Sequence, residues 1–158
     1  MNKQIIRFRP SRRAVLVTGS GFLLGAVAHG VVHASTLPPV TAYRNPGCTC
    51  CEQWAKRMEQ AGFEVSMTDD SNLVERRSRL GIPEDLAGCH LATVGGYVIE
   101  GHVPPDDVVR LLNEKDLVVG LSVPGMPMGS PGMEGGSSEP YDVLAFSADG
   151  KRKIYARY

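Results

Sequence analysis

The sequence predicts an α/β fold built around one mixed sheet. Three observations carry this. Apolar residues at helical spacing alternate along the chain with short runs of strand period. Glycine, proline, asparagine or aspartate stands at nearly every change of period. The 124 residues that follow an N-terminal leader, 35–158, are enough for one small domain and too few for two.

The elements follow in order. "VTAYR", Val40 to Arg44, reads as the first strand, and Asn45-Pro46-Gly47 turns the chain. From Cys50 onward, Cys51, Trp54, Ala55, Met58 and Ala61 fall at helical spacing, and Gly62 stops the helix. Phe63, Val65 and Met67 alternate with polar residues, the period of a second strand. "DDSN" offers helix caps, with Asn72 and Glu75 spaced as a capping pair. The second helix carries Leu73, Val74, Arg77 and Leu80 and ends at Gly81. "LATV", "GG" and "YVIE" make a hairpin with a two-residue turn. "PPDDVVRLLNE" opens a third helix with proline and acids and places Val108, Leu111 and Leu112 on one face. The order β-α-β-α-β-β-α, with parallel strands in the first half and a hairpin in the second, is the thioredoxin-like pattern. Leu121 to Pro140 then reads as a Met-, Pro- and Gly-rich loop, of a length that is usually functional or disordered. Tyr141, Val143 and Ala145, a turn at Asp149-Gly150 and a return strand through Ile154 predict a C-terminal hairpin packed on the core.

Residues 1–34 read as an export signal. "MNKQIIRFRPSRR" carries five basic residues and no acid, an apolar run spans Ala14 to Ala28, and the expected cut falls after Ala34. The run is short and broken by glycines, which favours a cleaved signal, with no membrane span afterwards, over a retained membrane anchor. "SRRAVLV" resembles a twin-arginine signal, departing from it at Val15 where Phe is usual. Five of the 17 basic residues lie in this segment, so the rest of the chain sets 12 basic against 17 acidic side chains. That balance argues against nucleic acid as a partner.

Three cysteines crowd the first βα turn, Cys48, Cys50 and Cys51. Backbone N–H groups and the positive end of the helix dipole favour thiolate there. Cys48 and Cys51 have the C-x-x-C spacing of a dithiol exchange site, but Cys50 beside them would invite unwanted bridges. Two structural disulfides are a third reading, and it meets a geometric obstacle, because adjacent Cys50 and Cys51 are poorly placed to pair. Soft thiolates at this density suit Cu(I), Zn or an iron–sulfur cluster, and bridging several ions is easier than surrounding one. Cys89 and His90 precede the third predicted strand and, in the predicted fold, face the cysteine turn. His102 ends the hairpin. The ordinary reading of either histidine is a hydrogen-bonded or exposed residue, and the neighbouring Cys89 favours His90 as a ligand. Met126, Met128 and Met133 lie among Pro and Gly with no period to bury them, and thioether sulfur prefers Cu(I). Trp54, Met58 and Met67 hold apolar periodic positions and read as core.

"NPGCTCCEQW", "GCHLATVGGYVIEGHVP" and "GLSVPGMPMGSPGME" resemble the motifs of the CopG family of small exported metal-binding proteins. The resemblance spans the chain from about Tyr43 to its end. It implies a thioredoxin-like fold, a link to bacterial copper resistance, a copper cluster bridged by cysteines, and redox handling of that copper. Carried over, the C-x-C-C cysteines are Cys48, Cys50 and Cys51, and the Cys-His pair is Cys89 and His90. His102 and the turn with Met126 and Met128 match further family segments. Leu91 stands where the family more often has Thr, and is expected to point into the core. The resulting expectation is a periplasmic protein that holds multinuclear copper, Cu(I) or Cu(II), for sequestration, transfer or redox conversion. Periplasmic copper donors and acceptors would be its partners. The alternatives are a thiol-disulfide oxidoreductase using Cys48 and Cys51, and a disulfide-stapled interaction module.

Overall fold

A computed structural model describes residues 37–158. The leader, its apolar run, its cut after Ala34 and its twin-arginine resemblance lie outside the described residues. The elements are β1 Val40–Arg44, α1 Thr49–Gln60, β2 Val65–Asp69, α2 Leu73–Arg79, a 3-10 turn at Glu84–Leu86, β3 His90–Val94, β4 Tyr97–Gly101, α3 Pro105–Glu114, β5 Gly120–Val123, β6 Asp142–Phe146 and β7 Arg152–Arg157. The strands form a seven-stranded mixed sheet in the order β2-β1-β3-β4-β5-β6-β7. β1 is parallel to β2 and β4 is parallel to β5. The other pairs are antiparallel. The predicted β-α-β-α-β-β-α order is present in this mixed α/β sheet.

Strand alternation divides the core between the two faces. Ala92, Val94 and Ile99 point to the face covered by α1 and α3, where they meet Trp54, Met58, Val108 and Leu111. Leu91 and Val98 point to the other, against Leu73 of α2 and Leu86 of the 3-10 turn. Each fully buried aliphatic or aromatic side chain contributes about 1.5–3 kcal/mol. Leu91 is fully buried, as its expected inward position requires. Met58 and Trp54 are fully buried, whereas Met67 packs only at the margin of the core, because β2 is an edge strand. The β3–β4 turn has positive φ at both Gly95 (55°) and Gly96 (89°), the geometry that favours a two-residue hairpin.

Four local expectations change. Gly120–Val123 is a fully buried strand rather than the start of the loop. It is four residues long, opens with glycine and is followed by Pro124, so its composition is that of a turn. The second strand begins at Val65 and leaves Phe63 as a buried residue of the preceding connection. The Asn72–Glu75 capping pair does not form. Asp70 Oδ1 accepts from the Asn72 amide at 2.8 Å, and Glu75 pairs along the helix with Arg79. Of the apolar face assigned to α2, Leu73 is buried but Val74 is 80% exposed. The C-terminal hairpin forms, and it extends the same sheet through the β5–β6 pairing, burying Val143, Ala145 and Phe146.

Candidate metal centre

The cysteine turn is built by the residues around it. Gly47 takes φ 78°, and the Cys48 amide donates to the Asn45 carbonyl at 3.2 Å, closing the turn after β1. Cys48 is the N-cap of α1, so Cys50 and Cys51 occupy its first turn. The Arg44 guanidinium holds this end in place. Its Nη1 donates to the Cys48 carbonyl (3.0 Å) and to Glu52 (2.6 Å), and its Nε to Asp69 (2.8 Å). One side chain therefore ties β1, the cysteine turn and β2 together.

Cys89 arrives from the residue before β3. Its Sγ lies 3.1 Å from Cys48 Sγ, 3.2 Å from Cys50 Sγ and 3.4 Å from Cys51 Sγ. Cys48 and Cys50 sulfurs are 3.4 Å apart. Cys48 and Cys51 are joined as a disulfide, and Cys50 and Cys89 are free thiols. Cys51 is fully buried and the other three are half-buried. Burial, then the neighbouring Cys50 sulfur, pushes the Cys89 thiol up to about 12. Cys89 therefore carries its proton at neutral pH in the metal-free protein.

The two histidines extend the cluster. His90, on β3, points to the α1 face and packs on Trp54, with ring centroids 4.2 Å apart. His102, just past β4, meets His90 edge-on at 5.1 Å. Trp54 Nε1 donates to the Val103 carbonyl at 2.9 Å, fixing the indole between them. Both histidines are fully buried. His102 Nδ1 bonds to the Pro131 carbonyl at 2.8 Å. His102 Nε2 and both ring nitrogens of His90 have no hydrogen-bond partner among the described residues. Each such buried group costs about 1–3 kcal/mol. A histidine kept for packing alone would be expected to satisfy at least one nitrogen. Burial holds both imidazoles below the ordinary value, that of His90 well below, so they are neutral and carry ligand lone pairs. Two donor groups result: Cys48, Cys50, Cys51 and Cys89, and Cys89, His90 and His102. Within each, the ligand atoms lie within 4.8 Å of one another. Cys89 belongs to both.

The methionine loop lies against this site. Ser130 is buried and donates to the Pro127 carbonyl at 2.7 Å, and Gly129 and Met133 are linked through the backbone. At Gly132 the loop comes so close to α1 that a Cβ would stand 2.7 Å from the Cys50 carbonyl oxygen and the Trp54 amide nitrogen. Arg57 of α1 pairs with Glu134 at 2.9 Å. Met126 is 55% exposed, and Met128 and Met133 are half-buried. The Met128 methyl packs beside Gly136 within the loop. The structure thus brings together Cys48, Cys50, Cys51, Cys89, His90 and His102. The cysteine and histidine groups form without a contribution from Met126 or Met128.

Comparison with solved structures adds the lineage. Two structures titled "Copper resistance protein copG", Form 1 and Form 2, each superpose with a TM-score of 0.73 and 36% identity, over 77% of this chain and 98% of theirs. The chain belongs to the CopG family. A family described as "Protein of unknown function, DUF411" matches residues 86–133. That segment holds Cys89, His90, His102 and the three loop methionines of this CopG-family chain. None of the curated proteins matches.

Sequence reasoning missed two charged groups that this CopG-family site depends on for its shape. In the sequence Arg44 is only the end of a strand. Glu100, on β4, is fully buried and is paired with Arg77 of α2, immediately behind Cys89. The one available signal was an acid inside the apolar run "YVIEG", two residues before His102.

Proposed function

We propose that this CopG-family protein binds copper as Cu(I) in a multinuclear site bridged by cysteine thiolates, and serves copper resistance in the periplasm by sequestration, transfer or redox conversion. The observation that carries the proposal is the sharing of Cys89 between a four-sulfur group and a Cys-His-His group. A thiolate standing in both groups is placed to bridge ions. The orphaned nitrogens of His90 and His102 support the reading, because coordination would satisfy them. The copper resistance titles of the two similar structures support copper as the metal. The β2-β1-β3-β4 order, with β1 parallel to β2 and a β3–β4 hairpin, supports a thioredoxin-like fold extended by β5, β6 and β7. Residues 1–34, as an export signal, would take the protein to that compartment.

Copper loading on this reading takes the reduced protein. A dithiol reductant gives two electrons and two protons to the Cys48–Cys51 disulfide, leaving two protein thiols and becoming a disulfide itself, and metal then displaces protons from sulfur. Anaerobic titration of the reduced protein with Cu(I), with thiols counted before and after, tests the proposal. Several Cu(I) per chain and no free thiol on loading are expected. Zinc displacing Cu(I) at equal concentration would overturn the copper assignment.

A second reading is favoured by one observation, the disulfide between Cys48 and Cys51 at a helix N-terminus. It makes the protein a thiol-disulfide oxidoreductase. Turnover of a disulfide substrate by metal-free protein, with reversible cycling of that one pair, would favour it over the copper site.

A further inference from the structure

The polypeptide that presents Cys89 is gripped from the α2 face of the sheet. The Gly88 amide donates to Glu100 Oε1 at 2.7 Å, and the Gly88 carbonyl accepts from Arg77 Nη2 at 2.9 Å. Arg77 Nε and Nη2 both donate to the same Glu100 oxygen, at 3.0 and 2.7 Å. The two peptide units that flank Gly88, the second of which carries Cys89, are thus bound by one ion pair. Glu100 is fully buried, and the Arg77 side chain is 13% exposed. Gly88 also lies directly on Gly101: a Cβ at Gly88 would stand 2.5 Å from Gly101 Cα. Gly101 precedes His102, so the same contact fixes the peptide that carries the second histidine.

Burying an ion pair rarely adds net stability over apolar packing of the same volume, and here Glu100 Oε2 has no hydrogen-bond partner among the described residues. A pair retained at that cost needs another use, and its geometry supplies one. We propose that Arg77 and Glu100 are positioning residues of the metal centre: their ion pair clamps the peptide units on both sides of Gly88, so that Cys89 Sγ stands against the three α1 sulfurs while His90 meets His102. Neither side chain is a ligand. The inference rests on the copper-binding reading above and names the parts that hold its shared thiolate in place.

Two variants test the clamp. Arg77→Lys keeps the charge but loses the planar fork that reaches both Glu100 and the Gly88 carbonyl. Glu100→Gln keeps the shape and an acceptor for Gly88 but removes the charge. Asp85→Asn, which breaks the exposed pair with Arg152, is the control. Each reduced protein is loaded with Cu(I) without oxygen and titrated with bathocuproine disulfonate as competitor, far below its melting temperature. Cu(I)-thiolate luminescence is recorded in parallel. Groups that orient metal ligands typically contribute about 10–100-fold in affinity. Arg77→Lys and Glu100→Gln are therefore expected to hold copper about 10–100-fold more weakly with altered luminescence, and Asp85→Asn to match the parent. A purely structural pair would lower the melting temperature and leave affinity and luminescence of the folded protein unchanged. An Arg77→Lys protein within twofold of the parent overturns the clamp. So does failure of both variants to fold, which would make the pair a strut. A parent that binds no Cu(I) sinks the copper reading itself and the clamp with it, an outcome distinct from a binding parent with unaffected variants.

Discussion

Cys50 is the residue at which the two chemical readings separate. The C-x-x-C pair does not include it, yet its sulfur lies 3.2 Å from Cys89 and 3.4 Å from Cys48. Cys50→Ser is expected to remove most of the bound copper, since one bridging thiolate is lost. Disulfide exchange through Cys48 and Cys51 would barely change. Parent-level copper in Cys50→Ser, measured by metal analysis of anaerobically loaded protein, would refute the cluster. Cys89 makes a second prediction at this scale. Its thiol, pushed up to about 12, must lose its proton to bind metal, so loading releases protons and tightens as pH rises. Between pH 6 and 8 the Cu(I) affinity should rise about tenfold per pH unit for each proton displaced. An affinity independent of pH in a competition assay would contradict that assignment.

The methionine loop is the element whose role the structure changes most. It packs on the first turn of α1 at Gly132 and lends the Pro131 carbonyl to His102, so it is part of the wall of the site. Its methionines are a separate matter, because Met126 is exposed and Met128 is packed within the loop. Replacing Met126, Met128 and Met133 together by Leu keeps the apolar volume at a cost usually below about 1.5 kcal/mol per site, and removes the sulfur. Stability and copper stoichiometry are expected to stay nearly unchanged while uptake from a chelator slows. Stopped-flow mixing reads this directly. Equal uptake rates would leave the methionines as packing, and a lost copper equivalent would make at least one a ligand.

Across the whole molecule, the metal-free protein carries a pH dependence set by its buried histidines. Burial lowers the folded-state value of His90 and His102, while the unfolded chain titrates near the ordinary value of about 6.5. Below that pH the unfolded chain takes up protons that the folded state refuses, so the stabilisation present above about 6.5 is lost as pH falls. Each pH unit below it should remove up to about 1.4 kcal/mol per histidine until the folded-state value is reached. Glu100 and Asp107, raised by burial, act in the opposite sense and add stability as pH falls through their raised values towards the ordinary carboxylate range. Urea denaturation of the metal-free protein at pH 7.5 and 5.5 should therefore show lower stability at 5.5, and His102→Gln should reduce the difference. A His102→Gln protein with the same pH dependence as the parent would show that this buried imidazole does not set it.

Local pattern was enough for most elements and for the cysteine turn. Helical spacing from Cys51 to Met58, the double glycine between β3 and β4 and the Pro105 start of α3 are dictated by neighbours within a few residues, which is the range over which period and turn chemistry act. The C-x-C-C turn was legible for the same reason, as were Cys89, His90 and His102 as candidate ligands. Convergence was not. Cys89 reaches Cys48, Cys50 and Cys51 across 41, 39 and 38 residues, and Arg77 reaches Glu100 across 23. Those meetings depend on the register of β3 against β1 and β4. A sequence displays the period of each strand but not the partner opposite each residue. The same limit hid β5, whose four buried residues become a strand only between β4 and β6. It also hid the loss of both hydrogen-bond partners at His90, since an imidazole is orphaned by what surrounds it in space.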